Sequence, residues 1–317
     1  MKVVFWGSSD FSVPSLEKLY EKHKVLAVVT NPDTLYGRGM KEVKFTPVKE
    51  FALKHNIDVI QPVSLKDRDF QEKLFSYDAE IYVVVSYGMI IPENIIYHPR
   101  YKSINLHASL LPKYRGASPI HHALINGDKI TGNSIQFITK ELDKGDILLQ
   151  SRVEIGSDET YSELSERLAI DGADLLIKAI GIISTGNFRT TPQDENLASY
   201  THIIKKEDGK INFVDFGAEE IYNRWRAFKK WPGIFTYYKN SKERDVSTEG
   251  IKTILTEVKA FDISGEKGRI LKADRSGFVV ACKKGCIQIE RIKPENKNEM
   301  DFLSFINGYR PVAGNFF

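Results

Sequence analysis

The sequence predicts two domains: an α/β unit on a doubly wound parallel sheet, then a small β-barrel or sandwich. Three observations carry this. Strand-sized apolar runs alternate with helical stretches over residues 1–187, the pattern of repeated βα units. Beyond residue 206 the runs become short, β-rich and closely spaced. A length of 317 residues exceeds one average domain and suits two.

The elements follow in order. Residues 2–6 read as a buried strand, followed by a Gly7-Ser8-Ser9-Asp10 turn and a helix over 14–22. A second strand spans 25–30. The long polar loop 31–46 leads to a helix over 47–55 and a short strand at 59–60. A helix over 66–75 precedes the β-branched strand 81–85, and the strand 103–107 comes next. Strands at 131–138 and 147–153 flank Leu142-Asp143-Lys144-Gly145-Asp146, and a helix over 160–183 closes the first domain, 1–187. Residues 188–206, with Pro192 and little periodicity, read as a linker. In the second domain, 207–317, a helix over 218–230 precedes strands at 235–238, 269–274, 278–281 and 287–292.

Composition removes several classes. Residues 1–208 carry 25 Lys+Arg against 28 Asp+Glu (−3), and residues 209–317 carry 20 against 14 (+6). A basic second domain suits a polyanionic partner, although surface charge can also drift without purpose. No apolar run is long enough to span a membrane, and residues 3–6 are too short for a signal-peptide core. Two cysteines, Cys282 and Cys286, cannot make a structural zinc site and read as free thiols of a cytoplasmic protein. His121-His122 are adjacent and lack a nearby third ligand, so no metal site is expected. The turn after the first strand lacks G-x-G-x-x-G, which removes the nicotinamide reading.

The chemistry concentrates at Asn105-Leu106-His107. In an extended segment side chains at i and i+2 share a face, so an amide N–H and an imidazole reach the same point. Such a pair suits a carbonyl that becomes a tetrahedral oxyanion while a proton moves. With no G-x-S-x-G and no cysteine nearby in sequence, the attacking group is external. Two roles are open to Asp143: orienting carboxylate for His107, or simple turn former; Asp146 competes for either. Ser109, Leu110, Leu111 and Pro112 read as a rigid wall with exposed backbone amides, suited to a flat heteroaromatic ligand. The segment Tyr87, Gly88, Met89 and Ile90 reads as the opposite wall or as an ordinary βα turn. Arg38, Lys41 and Lys44 make the loop 33–46 basic, suited to an acidic substrate or a nucleic-acid backbone. Ile221, Trp225 and Phe228 fall at helical spacing and read as core. Arg224, Arg226, Lys229 and Lys230 fall mostly off that stripe, facing phosphate or solvent.

Together the opening Phe5-Trp6-Gly7-Ser8-Ser9-Asp10-Phe11, the Gly37-Arg38-Gly39 loop, Gln61-Pro62, Tyr87-Gly88, Asn105 through Pro119, Leu142 through Asp146 and Trp231-Pro232 resemble the methionyl-tRNA formyltransferase family over the full length. The resemblance implies a Rossmann-like formyltransferase domain followed by an OB-like β-barrel that binds tRNA through a basic face. It implies formyl transfer from 10-formyltetrahydrofolate to the amino group of initiator methionyl-tRNA, with Asn105, His107 and Asp143 as the catalytic trio. Ser109–Pro112 match the folate-contacting stretch, and Arg38 matches an arginine that probes the acceptor stem. A monomer suffices for so large a substrate. The alternative is a folate-dependent formyltransferase acting on a small amine, such as an amino sugar, without tRNA.

Overall fold

The computed structural model describes residues 1–36, 42–239 and 250–317. The expectations for Arg38 and Lys41 therefore lie outside the described residues. The chain forms two compact units. One comprises Met1–Pro119, Ile130–Ile155 and Glu163–His202; the other comprises Ile120–Lys129, Gly156–Ser162 and Ile203–Phe317. The expected linker, 188–206, thus belongs to the first unit as far as His202, and the second unit takes in two short earlier segments.

The first unit is built on a seven-stranded sheet. Its strands are β1 (Lys2–Gly7), β2 (Lys24–Val29), β5 (Asp58–Ile60), β6 (Ile81–Val85), β7 (Ser103–His107), β9 (Ile130–Phe137) and β10 (Ile147–Glu154). Their spatial order is β10-β9-β7-β6-β1-β2-β5. Pairings from β7 through β5 are parallel, whereas β9 and β10 run antiparallel to their neighbours. The expected parallel sheet therefore carries an antiparallel edge. β9 and β10 are joined directly by a loop, a connection open only to antiparallel neighbours.

Alternation along β1 places its side chains on both faces. Val3 and Phe5 join one core with helices α1 (Val13–Lys22), α2 (Pro47–Lys54) and α6 (Tyr161–Ser184), through Leu16, Ala52 and Leu176. Val4 and Trp6 join the other core with α3 (Arg68–Ser76) and α4 (Glu93–Ile96), through Leu74 and Ile95. Helix starts follow local chemistry. Thr46 accepts from the Lys49 amide ahead of Pro47, and Asp67 accepts from the amides of Asp69 and Phe70. Within the loop expected over 31–46 the chain forms a hairpin, β3 (Thr34–Tyr36) against β4 (Glu42–Lys44). Two further short strands, β8 (Arg115–Gly116) and β11 (Tyr200–Thr201), pair parallel. This tethers the 188–202 segment to the loop that follows β7. Between them in sequence lies α5 (Pro119–Ile125).

The second unit holds an antiparallel sheet of the small β type expected. Its strands are β12 (Ile234–Tyr238), β13 (Ile251–Phe261), β14 (Ile270–Asp274), β15 (Gly277–Ala281) and β16 (Cys286–Pro294), in the order β12-β13-β16-β15-β14, with β17 (Met300–Asp301) added to β16. Register shifts between Leu255 and Val258 bend the long β13, as bulges do. Helix α7 (Ala218–Phe228) buries Ile221, Trp225 and Phe228 as expected, and the indole N–H of Trp225 donates to the Thr256 carbonyl at 2.9 Å. Helix α8 (Phe302–Tyr309) stacks Phe305 on Phe278.

Arg226 departs from its expectation. It is buried, and it donates to the Gly156 and Glu159 carbonyls and to Asn223 Oδ1, so it is a structural clasp of this unit. Arg224 is half-buried over the Phe216 ring, while Lys229 and Lys230 are exposed. His121 stacks on Tyr161, and burial pushes its imidazole down to about 4. Among the described residues no helix is long and apolar enough to cross a membrane, and no three His, Cys, Asp or Glu gather to hold a metal ion.

Candidate active site

Asn105 and His107 lie at the carboxyl end of β7, the sheet edge where ligands of parallel α/β folds sit. Strand register then brings in residues distant in sequence. Asn105 pairs with Gln136 of β9 and His107 with Ser134, so all four side chains share one face. The loop from β9 to β10 folds back and presents Asp143 to them, its backbone in the left-handed region at φ 53°. Asp146 is exposed and accepts from Thr190. Geometry therefore assigns the central carboxylate position to Asp143.

Three donors and the His107 ring meet the Asp143 carboxylate, two of the donors tightly. The Gly116 amide donates to Oδ2 at 2.8 Å and Gln136 Nε2 to Oδ1 at 2.8 Å. Asn105 Nδ2 stands 3.5 Å from Oδ1, and His107 Nδ1 stands 3.7 Å from Oδ2. The short pair fixes the carboxylate. Asn105 Nδ2 and His107 Nδ1 stand beyond ideal hydrogen-bond distance, and such contacts tighten in a reacting complex. His107 Nε2 lies 2.8 Å from the Tyr114 carbonyl, which can only accept, so that nitrogen carries a proton. The ring is thus oriented with Nδ1 toward Asp143, and it is 7% exposed.

Two glycines make this packing possible. A Cβ on Gly116, at φ 100°, would stand 2.7 Å from the Thr201 carbonyl oxygen. A Cβ on Gly145 would stand 1.7 Å from the Phe137 carbonyl oxygen, far inside contact distance.

The expected walls are revised. Ser109 is buried with its hydroxyl donating to the Lys113 carbonyl, and Leu111 is buried with its amide donating to Ser134 Oγ. The Ser109 amide is spent on the His107 carbonyl. Those two amides are therefore not open to a ligand, and only Leu110 and Pro112 retain partly exposed surface. Across the β6–β7 pair, Tyr87 also leaves the expected wall. Its ring packs edge-on to Trp6 at 5.2 Å, and burial raises its hydroxyl to about 12. Gly88 and Ile90 are exposed and Met89 is half-buried, so these three remain as ligand-facing candidates. Lys44 is exposed on the β3–β4 hairpin.

Sequence reasoning missed Gln136, Gln193 and the ion pair of Arg115. Gln136 was findable only through the antiparallel register with Asn105. The Arg115 side chain is fully buried, clamped by both oxygens of Glu195 at 2.9 and 3.0 Å and touching Gln193 and the Tyr200 hydroxyl. This clamp holds the guanidinium above its ordinary range and the Glu195 carboxyl below its own. No local pattern in the sequence marks a contact across some eighty residues.

A Rossmann-like sheet with a fixed carboxylate, an amide and an imidazole gathered at the carboxyl end of β7 has the arrangement of an α/β enzyme. The formyl transferase family model matches residues 1–180, and the model of the formyl transferase C-terminal domain matches residues 203–310. The chain belongs to the formyl transferase family. It is 43% identical over 317 residues to a methionyl-tRNA formyltransferase of Sulfurihydrogenibium sp., covering 99% of each chain. It is 39% identical over 308 residues to one of Fusobacterium nucleatum, covering 97% of each. Its fold is also that of an N-formyltransferase from Helicobacter canadensis solved with folinic acid and dTDP-3-aminofucose, at a TM-score of 0.67 and 21% identity over 91% of this chain and 98% of that one.

Proposed function

We propose that this protein transfers the formyl group of 10-formyltetrahydrofolate to the α-amine of initiator methionyl-tRNA. The observation that carries the chemistry is the split at Asp143: two contacts at 2.8 Å hold the carboxylate, and two at 3.5 and 3.7 Å leave Asn105 and His107 available. The bound folate supplies the formyl carbon. Asn105 Nδ2–H and protonated His107 Nδ1–H stabilise the negative charge that develops on the formyl oxygen. Asp143 holds the imidazolium and accepts the proton that the amine loses as its new C–N bond forms. The tetrahedral intermediate then collapses by breaking the bond from the formyl carbon to N10 of the folate, and N10 takes up that proton as tetrahydrofolate leaves.

The residues fit a formyl-folate. Ile90 is 84% exposed, Met89 and Leu110 offer further apolar surface, and a Cβ at Gly88 would meet nothing within 4 Å. A flat heterocycle calls for such a mixture of apolar surface and open space beside a few polar groups.

For the acceptor, support comes from full-length similarity to methionyl-tRNA formyltransferases and from the +6 balance of residues 209–317. Lys44, with Arg38 and Lys41, serves the tRNA backbone on this reading. The protein acts in the cytoplasm as a monomer. The test incubates purified protein with 10-formyltetrahydrofolate and, separately, charged initiator Met-tRNA, free methionine and an amino-sugar nucleotide. Formylation of the charged tRNA alone is the expected result. Formylation of the sugar without tRNA would overturn the acceptor assignment.

A further inference from the structure

We infer that Gln193 is a positioning residue for the catalytic carboxylate, and that residues 191–201 form a strap which completes the active site of the first unit. This rests on the formyl-transfer reading. Gln193 Nε2 lies 2.8 Å from the carbonyl of Asp143 and 2.8 Å from the carbonyl of Gly145, and 3.2 Å from Gln136 Oε1. One side-chain amide therefore grips both ends of the turn that carries Asp143, and also the residue that donates to its carboxylate. The opposite end of the same amide, Oε1, accepts from Arg115 Nε at 2.9 Å.

Arg115 makes the strap a device rather than a single contact. Its backbone neighbours hold both reactive side chains. Tyr114 supplies the carbonyl that orients His107, and Gly116 supplies the amide that fixes Asp143. Its side chain spans Gln193 and Glu195, and its own backbone pairs with Tyr200 where β8 meets β11. The strap is anchored at its other end, where Thr191 and Ile147 exchange backbone hydrogen bonds at 2.8 and 2.9 Å. A displacement of Gln193 thus reaches the Asp143 turn through its carbonyls and the His107 loop through Arg115. Such supporting contacts hold reactive groups within the narrow tolerance that catalysis needs.

The informative variant is Gln193→Glu. It keeps the length and an oxygen for Arg115 but removes the donor to the two carbonyls. Its expected effect is a fall in kcat approaching about 100-fold, as for a displacement near 1 Å, with KM for both substrates within about twofold. A purely structural role would not split kcat from KM in this way. The second readout is amide hydrogen exchange in the Asp143–Gly145 turn, which speeds up when the grip of Gln193 on its two carbonyls is lost. A folded Gln193→Glu protein with the parent kcat and the parent exchange rates in that turn would overturn the inference. Should that variant fail to fold, Glu195→Gln is read by the same two measurements, because its carboxylate is 60% exposed and the change keeps its shape. If the parent protein transfers no formyl group, the functional reading fails; hydrogen exchange in the Asp143–Gly145 turn still decides whether the strap positions Asp143.

Discussion

Two connections of the first unit are built to opposite designs. The turn carrying Asp143 is gripped from every side: Gln193 holds its backbone, Gly116 and Gln136 hold its carboxylate, and Gly145 lets it press against Phe137. Among the described residues the β3–β4 hairpin is secured at its base, where Lys49 bridges Asp33 and Gln61, and its two strands pair with each other. Leu35 and Val43 face outward, 58% and 54% exposed. On the reading proposed above, the first design fixes the carboxylate that supports His107 before substrate arrives, which is where electrostatic stabilisation gets its strength, and the second leaves surface for the tRNA.

Asp143→Asn should produce the largest effect on the gripped side, because it keeps the shape and removes the charge that supports His107. We expect a loss in kcat of about 100–1000-fold, or about 2.7–4 kcal/mol, measured under saturating donor and acceptor. Gly145→Ala should come next. Its Cβ cannot coexist with the Phe137 carbonyl, so the turn must move, with a loss approaching about 100-fold in kcat and a lower Tm. A parent-like rate in that variant would show that the turn is not held as tightly as described.

On the hairpin, Lys44→Glu should weaken tRNA use while sparing folate binding. The slope of log affinity against log salt should fall by about one or more for each lost phosphate contact. Equal losses for both substrates would erase the distinction between the two connections. The smallest effect is a pH effect. Arg115 lowers the Glu195 carboxyl below its ordinary 4.5, so its contribution to stability is present above that value and is lost as pH falls through the lowered one. Thermal unfolding between about pH 5 and 3 should therefore show a shallower acid decline for Glu195→Gln than for the parent.

The same contrast explains what the sequence made legible. Contiguous apolar runs such as Ile81–Val85, short and rich in β-branched residues, read as buried strands, and their alternation with helices exposed the architecture. Asn105 and His107 were visible because strand geometry alone puts i and i+2 together. The short connection between the strands at 131–138 and 147–153 marks that pair as antiparallel, but nothing local shows that β9 lies against β7, so Gln136 opposite Asn105 was hidden. Arg226 looked like a surface cation because helical spacing does not reveal the carbonyls of Gly156 and Glu159 waiting for it. Gln193 sat in a stretch that reads as a linker. Its role depends on contacts with residues fifty positions away, which no local rule can supply.

The most direct test is the single-turnover rate of formyl transfer to charged initiator Met-tRNA for Asn105→Ala and His107→Ala, with the folate dissociation constant measured in parallel. The account predicts rates about 100–1000-fold below the parent with folate affinity little changed. Near-parent rates in either variant would contradict it, and would move the chemistry away from the carboxyl end of β7.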